Sequence, residues 1–503
     1  MMMPIDRFYS AVARNPLATA LGGSTPFSYA ELARAVDAVA VGLQALDAER
    51  GSRVGICAKN TPEHLIALLA TYRAGKVWVP LNPRNGRAEL DAMIATTRPS
   101  ILVVDQSCVD RFIPTAAAFV FGKSDWVEHG ASVRAMMRDN AGQAPVHDAR
   151  AATDAQTLKF SGGSTGAPKS VIQSVRCINA QADGIRDFFA FNNTDVNLIA
   201  APLTHGVSCF VLPVLETGGC HVLLEHATPA AILDAVERHD VTTVYAPPTM
   251  LYGMLGAVKA GQRFPTLRHV IYSAAPMTPE RIRECQRVFG NVIETAYGQV
   301  EAPQIIAAMR ADELMREENL ASVGRASSVA TIRIDDGRGG SAAAGEVGEL
   351  LVGGPLVMTG YLDQPALTAE TLTDGWLRTG DTGSIDERGY LFIRGRIKET
   401  INTGGFKVHP GDVEAVLARY PAVQECAVFG VPDAKWGEAV TAAVVCIDGA
   451  IVDASTLIEF VKQALGSVKA PKSIRFFDEL PRNAAGKVSR ADLRAIVLAQ
   501  ARA

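Results

Sequence analysis

Strand-like and helix-like segments alternate regularly in the N-terminal part of this 503-residue chain. Ser28 and Glu31 fit a capping box before a helix, and the apolar segment 53–58 is typical of a buried strand. Thr-Pro-Glu at 61–63 predicts the next helix start, and segment 77–79 predicts another strand. Comparable strands are predicted at 101–104, 222–224, 242–245 and 270–272, and helices from 229 and from 278. This order predicts an α/β fold with mostly parallel sheets that are covered on both faces and bind ligands at the carboxyl ends of strands.

The sequence pattern changes beyond residue 334. Segment 334–349 is rich in Asp, Gly and Ala and favours β-hairpins. Past 394–396 the pattern predicts a compact unit with helices at 410–420 and 457–465 and strands at 426–431, 439–446 and 474–477. A chain of this length exceeds what one hydrophobic core usually serves. We therefore predict a large N-terminal domain at 1–395 with stacked sheets and a β-rich subdomain, a boundary near 396–398, and a small α+β C-terminal domain at 396–503.

Composition excludes several classes of protein. The formal net charge is only −4, and no basic patch of the kind that a nucleic-acid binder carries is visible. No apolar run approaches the length of a membrane span, and the N-terminus lacks the features of a signal peptide. The eight cysteines are scattered, without zinc or redox spacing, and are typical of buried thiols. We therefore expect a cytoplasmic protein with small-molecule partners; self-association into a homodimer stays open.

A loop rich in glycine and hydroxyl residues lies between an apolar lead-in and the β-branched pair 171–172, and we expect it to lie in one of the strand–helix connections of the parallel sheet. Glycines let backbone N–H groups approach an anion, hydroxyls donate further hydrogen bonds, and a lysine adds a compact charge. A Walker-type loop is excluded because Pro168 stands where that motif needs a glycine before the lysine. The pattern favours an oligophosphate site, with a Gly/Ser surface turn as the alternative. The residues concerned are Ser161, Gly162, Gly163, Ser164, Thr165, Gly166 and Lys169.

Further motifs follow this loop in order along the chain: Tyr297-Gly298-Gln299-Val300-Glu301, Thr379-Gly380-Asp381, Gly395-Arg396-Ile397-Lys398, 403–410 with Glu414, and 481–487. Together with the loop they resemble the signatures of the acyl-adenylate-forming superfamily, the AMP-dependent synthetases and ligases, and in particular its acyl-CoA and aryl-CoA ligase branch. The resemblance covers nearly the whole chain. It implies ATP-dependent activation of a carboxylic acid, fatty or aromatic, to acyl-AMP with release of pyrophosphate, followed by transfer of the acyl group to coenzyme A.

The resemblance also implies a role for individual residues. Lys487 would bridge the carboxylate and the α-phosphate, and Glu301 would bind Mg²⁺. Asp381 and Arg396 would bind the ribose, and Tyr297 would lie along the adenine. The alternatives are a solvated lysine, a capping or salt-bridged glutamate, ordinary turn or surface residues, and a core tyrosine. The remaining ATP-binding positions are Ala274, Ala275, Pro276, Gly298 and Gln299.

Three further positions in or near the motifs bear on the expected function. His205 matches a family position that borders the acyl carboxylate, although a histidine in a turn could equally be a structural hydrogen-bonder. Cys209 is interpreted as a buried thiol because adenylation needs no protein nucleophile. Val300 replaces the family threonine and removes a hydroxyl donor, so we expect weakened ATP binding rather than lost function.

The acceptor of the acyl group is expected to be diffusible, because no carrier domain is expected after Lys487. Gly404, Gly405 and Trp436 match positions that line the coenzyme A path in related ligases, with a surface aromatic as the alternative for the tryptophan. Lys398 would be the hinge about which a mobile C-terminal domain turns. Two other functions stay open: loading of a separate carrier protein, and a non-catalytic nucleotide-binding scaffold. The motifs do not name the acid.

Overall fold

The computed structural model describes residues 2–112, 118–121, 131–147, 150–161, 169–447, 449–450, 452–482 and 488–500. Within these ranges the strands form four sheets. The largest has nine strands, in the spatial order Arg325–Ala326, Ala307–Met309, Ile293–Tyr297, His269–Tyr272, Thr243–Ala246, Val196–Ile199, Cys220–Leu223, Thr19–Leu21 and Phe27–Ser28. The second has eight, in the order Gly360–Tyr361, Lys169–Ser174, Ala155–Ser161, Val77–Pro80, Arg53–Cys57, Ile101–Val104, Ala118–Phe121 and Ala131–Ser132.

Both large sheets are parallel in their centres and antiparallel at one or both edges. Two smaller sheets are mainly antiparallel. The third sheet contains Thr331–Asp335, Gly348–Gly353, Trp376–Ile385, Leu372–Thr373 and Leu391–Arg396. The fourth contains Phe406–Val408, Ile401–Thr403, Gly437–Cys446, Val423–Asp433 and Ser473–Phe476. This is the predicted fold class, with a β-rich unit between the stacked sheets and the C-terminal unit.

Helices connect and cover these sheets. The α-helices are Asp6–Arg14, Tyr29–Leu46, Pro62–Arg73, Arg87–Thr97, Val133–Asp139, Val175–Phe189, Val211–Glu216, Pro229–Arg238, Pro248–Ala257, Pro279–Phe289, Ala311–Leu314, Pro365–Thr371, Pro410–Leu417, Ala454–Lys469 and Arg490–Gln500. The 3₁₀ helices are Gln106–Arg111, Gly206–Phe210, Glu317–Asn319 and Ile397–Glu399. None of the helices in the described ranges is long and apolar enough to cross a membrane.

Local sequence signals predicted the bounds of most helices and strands to within a few residues. The predicted capping box is present, with the Ser28 side chain accepting from the Glu31 N–H and the Glu31 carboxylate accepting from the Ser28 N–H. In the C-terminal unit the helix predicted at 457–465 begins earlier, at Ala454, because the Asp453 side chain caps it. The helix predicted to reach Tyr420 ends at Leu417.

One predicted connection is wrong. The glycine-rich loop was expected between a strand and a covering helix of the parallel sheet. Its flanking strands, Ala155–Ser161 and Lys169–Ser174, are instead antiparallel neighbours, with Ser161 paired to Lys169. The segment between them is shorter than the roughly dozen residues that a parallel crossover needs. The loop therefore joins the two strands of a hairpin, while the conformation of 162–168 lies outside the described residues.

The cysteine prediction is correct in part. All eight are free thiols. Those at 57, 108, 177, 209 and 285 are buried, as predicted, whereas those at 220, 426 and 446 are partly exposed.

The C-terminal sheet has a hydrophobic core of its own, which includes Ile401, Val428 and Leu457. An ion pair links this part to the preceding strand, because Arg394 Nη1 lies 3.6 Å from Asp412 Oδ1. The division into 1–395 and 396–503 stays a prediction, and the 3₁₀ helix Ile397–Glu399 lies at the expected junction.

Candidate active site

Four of the predicted nucleotide-binding residues meet at one carboxylate. Asp381 Oδ2 accepts hydrogen bonds from Tyr297 Oη at 2.5 Å and from Gln299 Nε2 at 2.6 Å. Asp381 Oδ1 lies 2.7 Å from Arg396 Nε. Burial, together with the charge of Asp381, holds the pKa of the Tyr297 hydroxyl well above its usual value. We call these four residues the Asp381 cluster.

Strand pairing explains how distant motifs form this cluster. Asp381 and Arg396 are direct partners across the antiparallel strands Trp376–Ile385 and Leu391–Arg396. Tyr297 ends the strand Ile293–Tyr297, the third from one edge of the nine-stranded sheet. The glycine between Tyr297 and Gln299 is required by packing, because a Cβ on Gly298 would lie 2.4 Å from the backbone N of Gln304.

Glu301 is held by a residue that the sequence did not indicate. Tyr361 Oη donates to Glu301 Oε1 at 3.0 Å. Burial, and then the neighbouring charge of Glu301, raise the pKa of the Tyr361 hydroxyl, so it stays a donor. The Lys169 ammonium lies 5.6 Å from the centre of the Tyr361 ring. The structure thus brings Lys169, Glu301 and Tyr361 together at the base of the glycine-rich loop.

The carboxylate of Glu301 suits the predicted Mg²⁺. Its Oε1 is oriented by Tyr361, and its Oε2 has no hydrogen-bond partner among the described residues. The same ranges contain no group of three or more Asp, Glu, His or Cys side chains suited to hold a metal. One carboxylate completed by substrate phosphates and water is a usual arrangement for Mg²⁺ in nucleotide sites.

The strand end at Ala274 carries backbone strain. Ala274, Ala275 and Pro276 are exposed at the carboxyl end of His269–Tyr272, which is the edge where ligands bind in such sheets. Ala274 has φ 75°, in the left-handed region that a side chain disfavours. Strained backbone of this kind often occurs at binding sites.

His205 lies at the start of the 3₁₀ helix Gly206–Phe210. Its Nδ1 is 2.9 Å from Thr204 Oγ1. Its carbonyl oxygen accepts from Ser208 Oγ at 2.7 Å and from Lys159 Nζ at 3.3 Å. Lys159 was missed by the sequence analysis, although a lysine within an apolar strand leading into the loop is a signal. We call the segment 204–208 the His205 turn.

Cys209 follows the His205 turn and is buried. Its Sγ accepts from Gln181 Nε2 at 3.0 Å, and burial raises the pKa of the thiol. A thiol kept protonated is a poor nucleophile, in agreement with its interpretation as a structural residue.

The residues predicted for coenzyme A lie in the C-terminal sheet. Gly404 and Gly405 form the turn between Ile401–Thr403 and Phe406–Val408, and the Gly404 N–H donates to the Trp436 carbonyl at 2.8 Å. Trp436 is 37% exposed, and the ammonium groups of Lys435 and Lys472 lie 4.9 and 5.4 Å from its ring centre. An exposed aromatic ring beside two cations suits a phosphorylated, purine-containing ligand.

The predicted hinge, Lys398, is exposed within Ile397–Glu399. Its neighbour Glu399 pairs with Arg490 at 2.9 Å, and Arg490 also pairs with Glu414 at 2.7 Å. Arg490 thus links the hinge segment to the start of the last helix. The predicted phosphate-loop residues Gly162, Gly163, Ser164, Thr165 and Gly166, and the predicted catalytic Lys487, lie outside the described residues.

Comparison with known proteins bears on the whole chain. The model of the AMP-binding enzyme family matches residues 8–362, and the model of the AMP-binding enzyme C-terminal domain matches residues 412–487. A feruloyl-CoA synthase from Amycolatopsis sp. is 35% identical over 498 residues, which cover 95% of this chain and 96% of that protein.

Solved structures of two other proteins also resemble this chain over nearly its full length. The amide bond synthetase McbA from Marinactinospora thermotolerans superposes with a TM-score of 0.90 at 29% identity, covering 98% of this chain and 100% of that one. ATP-bound MatB from Rhodopseudomonas palustris superposes with a TM-score of 0.87 at 29% identity, covering 98% and 99%. The family model alone spans more than half of the sequence, and the chain belongs to the AMP-binding enzyme family.

Proposed function

We propose that this protein is an AMP-forming acid–thiol ligase, which converts a carboxylic acid, ATP and coenzyme A to an acyl-CoA thioester, AMP and pyrophosphate. The observation that carries the proposal is the Asp381 cluster, in which three separate motifs meet, one of which also contains Glu301. The coenzyme A ligase among its relatives, alike over nearly the full length of both chains, supports the same reaction.

In the first step a carboxylate oxygen attacks the α-phosphorus of ATP, and the bond to pyrophosphate breaks. Ser161, Lys169 and the glycine-rich loop between them bind the phosphates. The Asp381 cluster binds the ribose and adenine. Glu301 would hold Mg²⁺, which neutralises phosphate charge when bound. Lys487 neutralises the two anions as they approach, which is stabilisation present mainly in the transition state.

In the second step the thiol of coenzyme A attacks the acyl carbon, its proton leaves to solvent, and AMP departs. The C-terminal domain turns about Lys398, so that Lys487 leaves the site and Gly404, Gly405 and Trp436 face it. The two lysines beside Trp436 support this assignment because coenzyme A carries phosphates.

A second acceptor class deserves a direct test, because a neighbouring structure is titled an amide bond synthetase. We would incubate the enzyme with Mg·ATP and a panel of short, long and aromatic acids, adding in parallel coenzyme A, an acyl carrier protein or a primary amine. AMP, pyrophosphate and acyl-CoA are expected. A thioester on the carrier or an amide would replace only the second step of the proposal. ADP and phosphate, or no acid-dependent pyrophosphate at all, would contradict the first step and, in the latter case, favour a scaffold.

A further inference from the structure

The hairpin that carries the glycine-rich loop places two polar side chains on one of its faces. Lys159 pairs with Val171, and Thr157 pairs with Gln173, across the two antiparallel strands. Alternate residues of a strand share a face, and directly paired residues share it as well, so Lys159 and Gln173 lie on the same side of the hairpin. Both line one cavity of about 20 Å³, the size of a single water, and are therefore close neighbours inside the protein.

Lys159 holds the backbone of the His205 turn. Its Nζ donates to the His205 carbonyl at 3.3 Å and to Ser208 Oγ at 2.8 Å. Ser208 Oγ in turn donates to the same carbonyl at 2.7 Å. The Trp78 ring, whose centre lies 5.4 Å from the ammonium, stabilises its charge. The turn that carries His205 is thus bound from the side of the hairpin.

Gln173 holds the backbone of the nucleotide motif in the same way. Its Nε2 donates to the Val300 carbonyl at 2.8 Å. Val300 lies between Gln299, which belongs to the Asp381 cluster, and Glu301, the predicted Mg²⁺ ligand. A single hydrogen bond from the hairpin therefore fixes the segment that joins the nucleotide cluster to the metal ligand.

Packing alone does not explain these two side chains. Gln173 is 1% exposed, and its Oε1 has no hydrogen-bond partner. Burial lowers the pKa of the Lys159 ammonium. Burying a charge or an unsatisfied amide oxygen costs free energy, so an apolar residue of similar size would stabilise the fold more at either position. Their hydrogen bonds to the two functional segments are the gain that offsets this cost.

We infer that Lys159 and Gln173 are positioning residues for acid activation, with separate roles. Lys159 positions the acid through the His205 turn, and Gln173 positions Mg·ATP through segment 299–301. This inference rests on the proposed function, in which the turn borders the carboxylate and Glu301 binds the metal. Misplacing a reacting group by about 1 Å can lower a rate by about 100-fold, so one hairpin that aligns both substrates with the phosphate loop has a catalytic benefit.

The acid role predicts a selective change in Lys159→Met. Pyrophosphate release would be measured with ferulate, benzoate, hexanoate and palmitate, and the acid with the highest kcat/KM would be used for all variants. The Michaelis constant for this acid should rise by about tenfold, because the turn loses a hydrogen bond from a charged group. The constant for Mg·ATP, measured at saturating acid, should change little.

The nucleotide role predicts the opposite selectivity in Gln173→Met. The Michaelis constant for Mg·ATP should rise by about 2- to 10-fold, the range of a neutral hydrogen bond. The constant for the acid, measured at saturating Mg·ATP, should change little.

Thr157 supplies the matched control. It lies on the same face of the hairpin, lines the same cavity and is fully buried, but its hydroxyl bonds Tyr72 Oη at 2.7 Å rather than either functional segment. Thr157→Val should lower the thermal midpoint and leave both Michaelis constants near their wild-type values.

Ser208→Ala tests the acid role without removing a buried charge. It deletes the hydroxyl that accepts from Lys159 and donates to the His205 carbonyl. It should raise the Michaelis constant for the acid and not the constant for Mg·ATP, and it decides the acid role if Lys159→Met does not fold.

The inference requires both selective changes. It is overturned if Lys159→Met and Gln173→Met each raise both constants equally, if neither constant moves, or if Thr157→Val changes a constant as much as they do. All of these results leave the proposed function intact. If the wild-type protein releases no pyrophosphate with any of the acids, the proposed function is wrong, and this inference is wrong with it.

Discussion

The Asp381 cluster and the buried ammonium of Lys159 differ in how their charges are balanced. Asp381 accepts from three side chains, so its charge is matched before any ligand arrives. Lys159 Nζ donates to Ser208 Oγ and to the His205 carbonyl and lies 5.4 Å from the centre of the Trp78 ring, so its partners among the described residues carry no full charge. A prebuilt network suits a ligand that is the same in every turnover, as the nucleotide is. Lys159, by contrast, binds the backbone of the His205 turn and so supports the position of that turn.

Removing the charge from the completed network should have the largest effect. In Asp381→Asn the amide cannot accept from Tyr297, Gln299 and Arg396 as the carboxylate does. We expect kcat/KM for ATP to fall by at least about 100-fold, since up to three hydrogen bonds to a charged group are weakened.

The control for this variant is Asp386→Asn, which alters an acid beside Arg388 in the adjoining hairpin turn. It should leave ATP kinetics near wild type. If both substitutions lower kcat/KM for ATP to the same extent, the cluster stabilises the third sheet and does not bind the nucleotide.

The next effect concerns the tyrosine that orients Glu301. Tyr361→Phe removes one hydrogen bond to a carboxylate, so the Mg²⁺ concentration for half-maximal activity should rise by about 10- to 100-fold. Binding of Mn²⁺ with ATP, followed by paramagnetic resonance, should weaken in parallel. Tyr29→Phe removes a buried hydroxyl that bonds the Leu215 and Gly219 carbonyls, and it should change stability but not metal dependence. Unaltered metal binding in Tyr361→Phe would show that the hydrogen bond from Tyr361 does not orient Glu301 for the metal.

A gain rather than a loss, of at most the same size, is expected at Val300, where the ATP-binding motif departs from the family pattern. Val300 packs against the hydrophobic core, and its carbonyl accepts from Gln173 Nε2 at 2.8 Å. Val300→Thr adds a hydroxyl near the expected phosphates and should improve ATP affinity by about 1.5 to 3 kcal/mol at most. Val323→Thr, at another partly buried core position, should give no gain. A Michaelis constant for ATP in Val300→Thr that equals or exceeds the wild-type value would show that another donor already replaces the missing hydroxyl.

The smallest effect is expected at the strained strand end. Ala274→Gly relieves the positive φ and should raise the free energy of unfolding by about 1 kcal/mol, measured by denaturant titration. Ala275→Gly, where φ is not positive, should be neutral or destabilising. A loss of stability in Ala274→Gly would mean that the backbone there is not strained.

The sequence predicted the elements and the Asp381 cluster better than the supporting contacts. Short-range signals, such as the Ser28 capping box and proline after Thr61, act within a few residues and were confirmed. Asp381 and Arg396 could be named from their motifs, and strand pairing then made them neighbours.

Tyr361 and Lys159 could not be found in this way. Tyr361 reaches Glu301 because the two-residue strand Gly360–Tyr361 joins the edge of the eight-stranded sheet, and so short a strand carries no periodic signal. Lys159 lies outside the motifs, and its hydrogen bond to the His205 carbonyl is visible only in the fold. The hairpin at the glycine-rich loop was missed for a related reason, because the alternation of strands and helices elsewhere favoured a crossover.

The central claim is that an acyl-adenylate forms before any acceptor binds. Exchange of labelled pyrophosphate into ATP, measured with an acid present and coenzyme A absent, tests this most directly. We predict exchange that requires both the acid and Mg²⁺ and is lost in Lys487→Ala. Exchange that occurs only when coenzyme A is added, or that proceeds equally without the acid, would contradict the account.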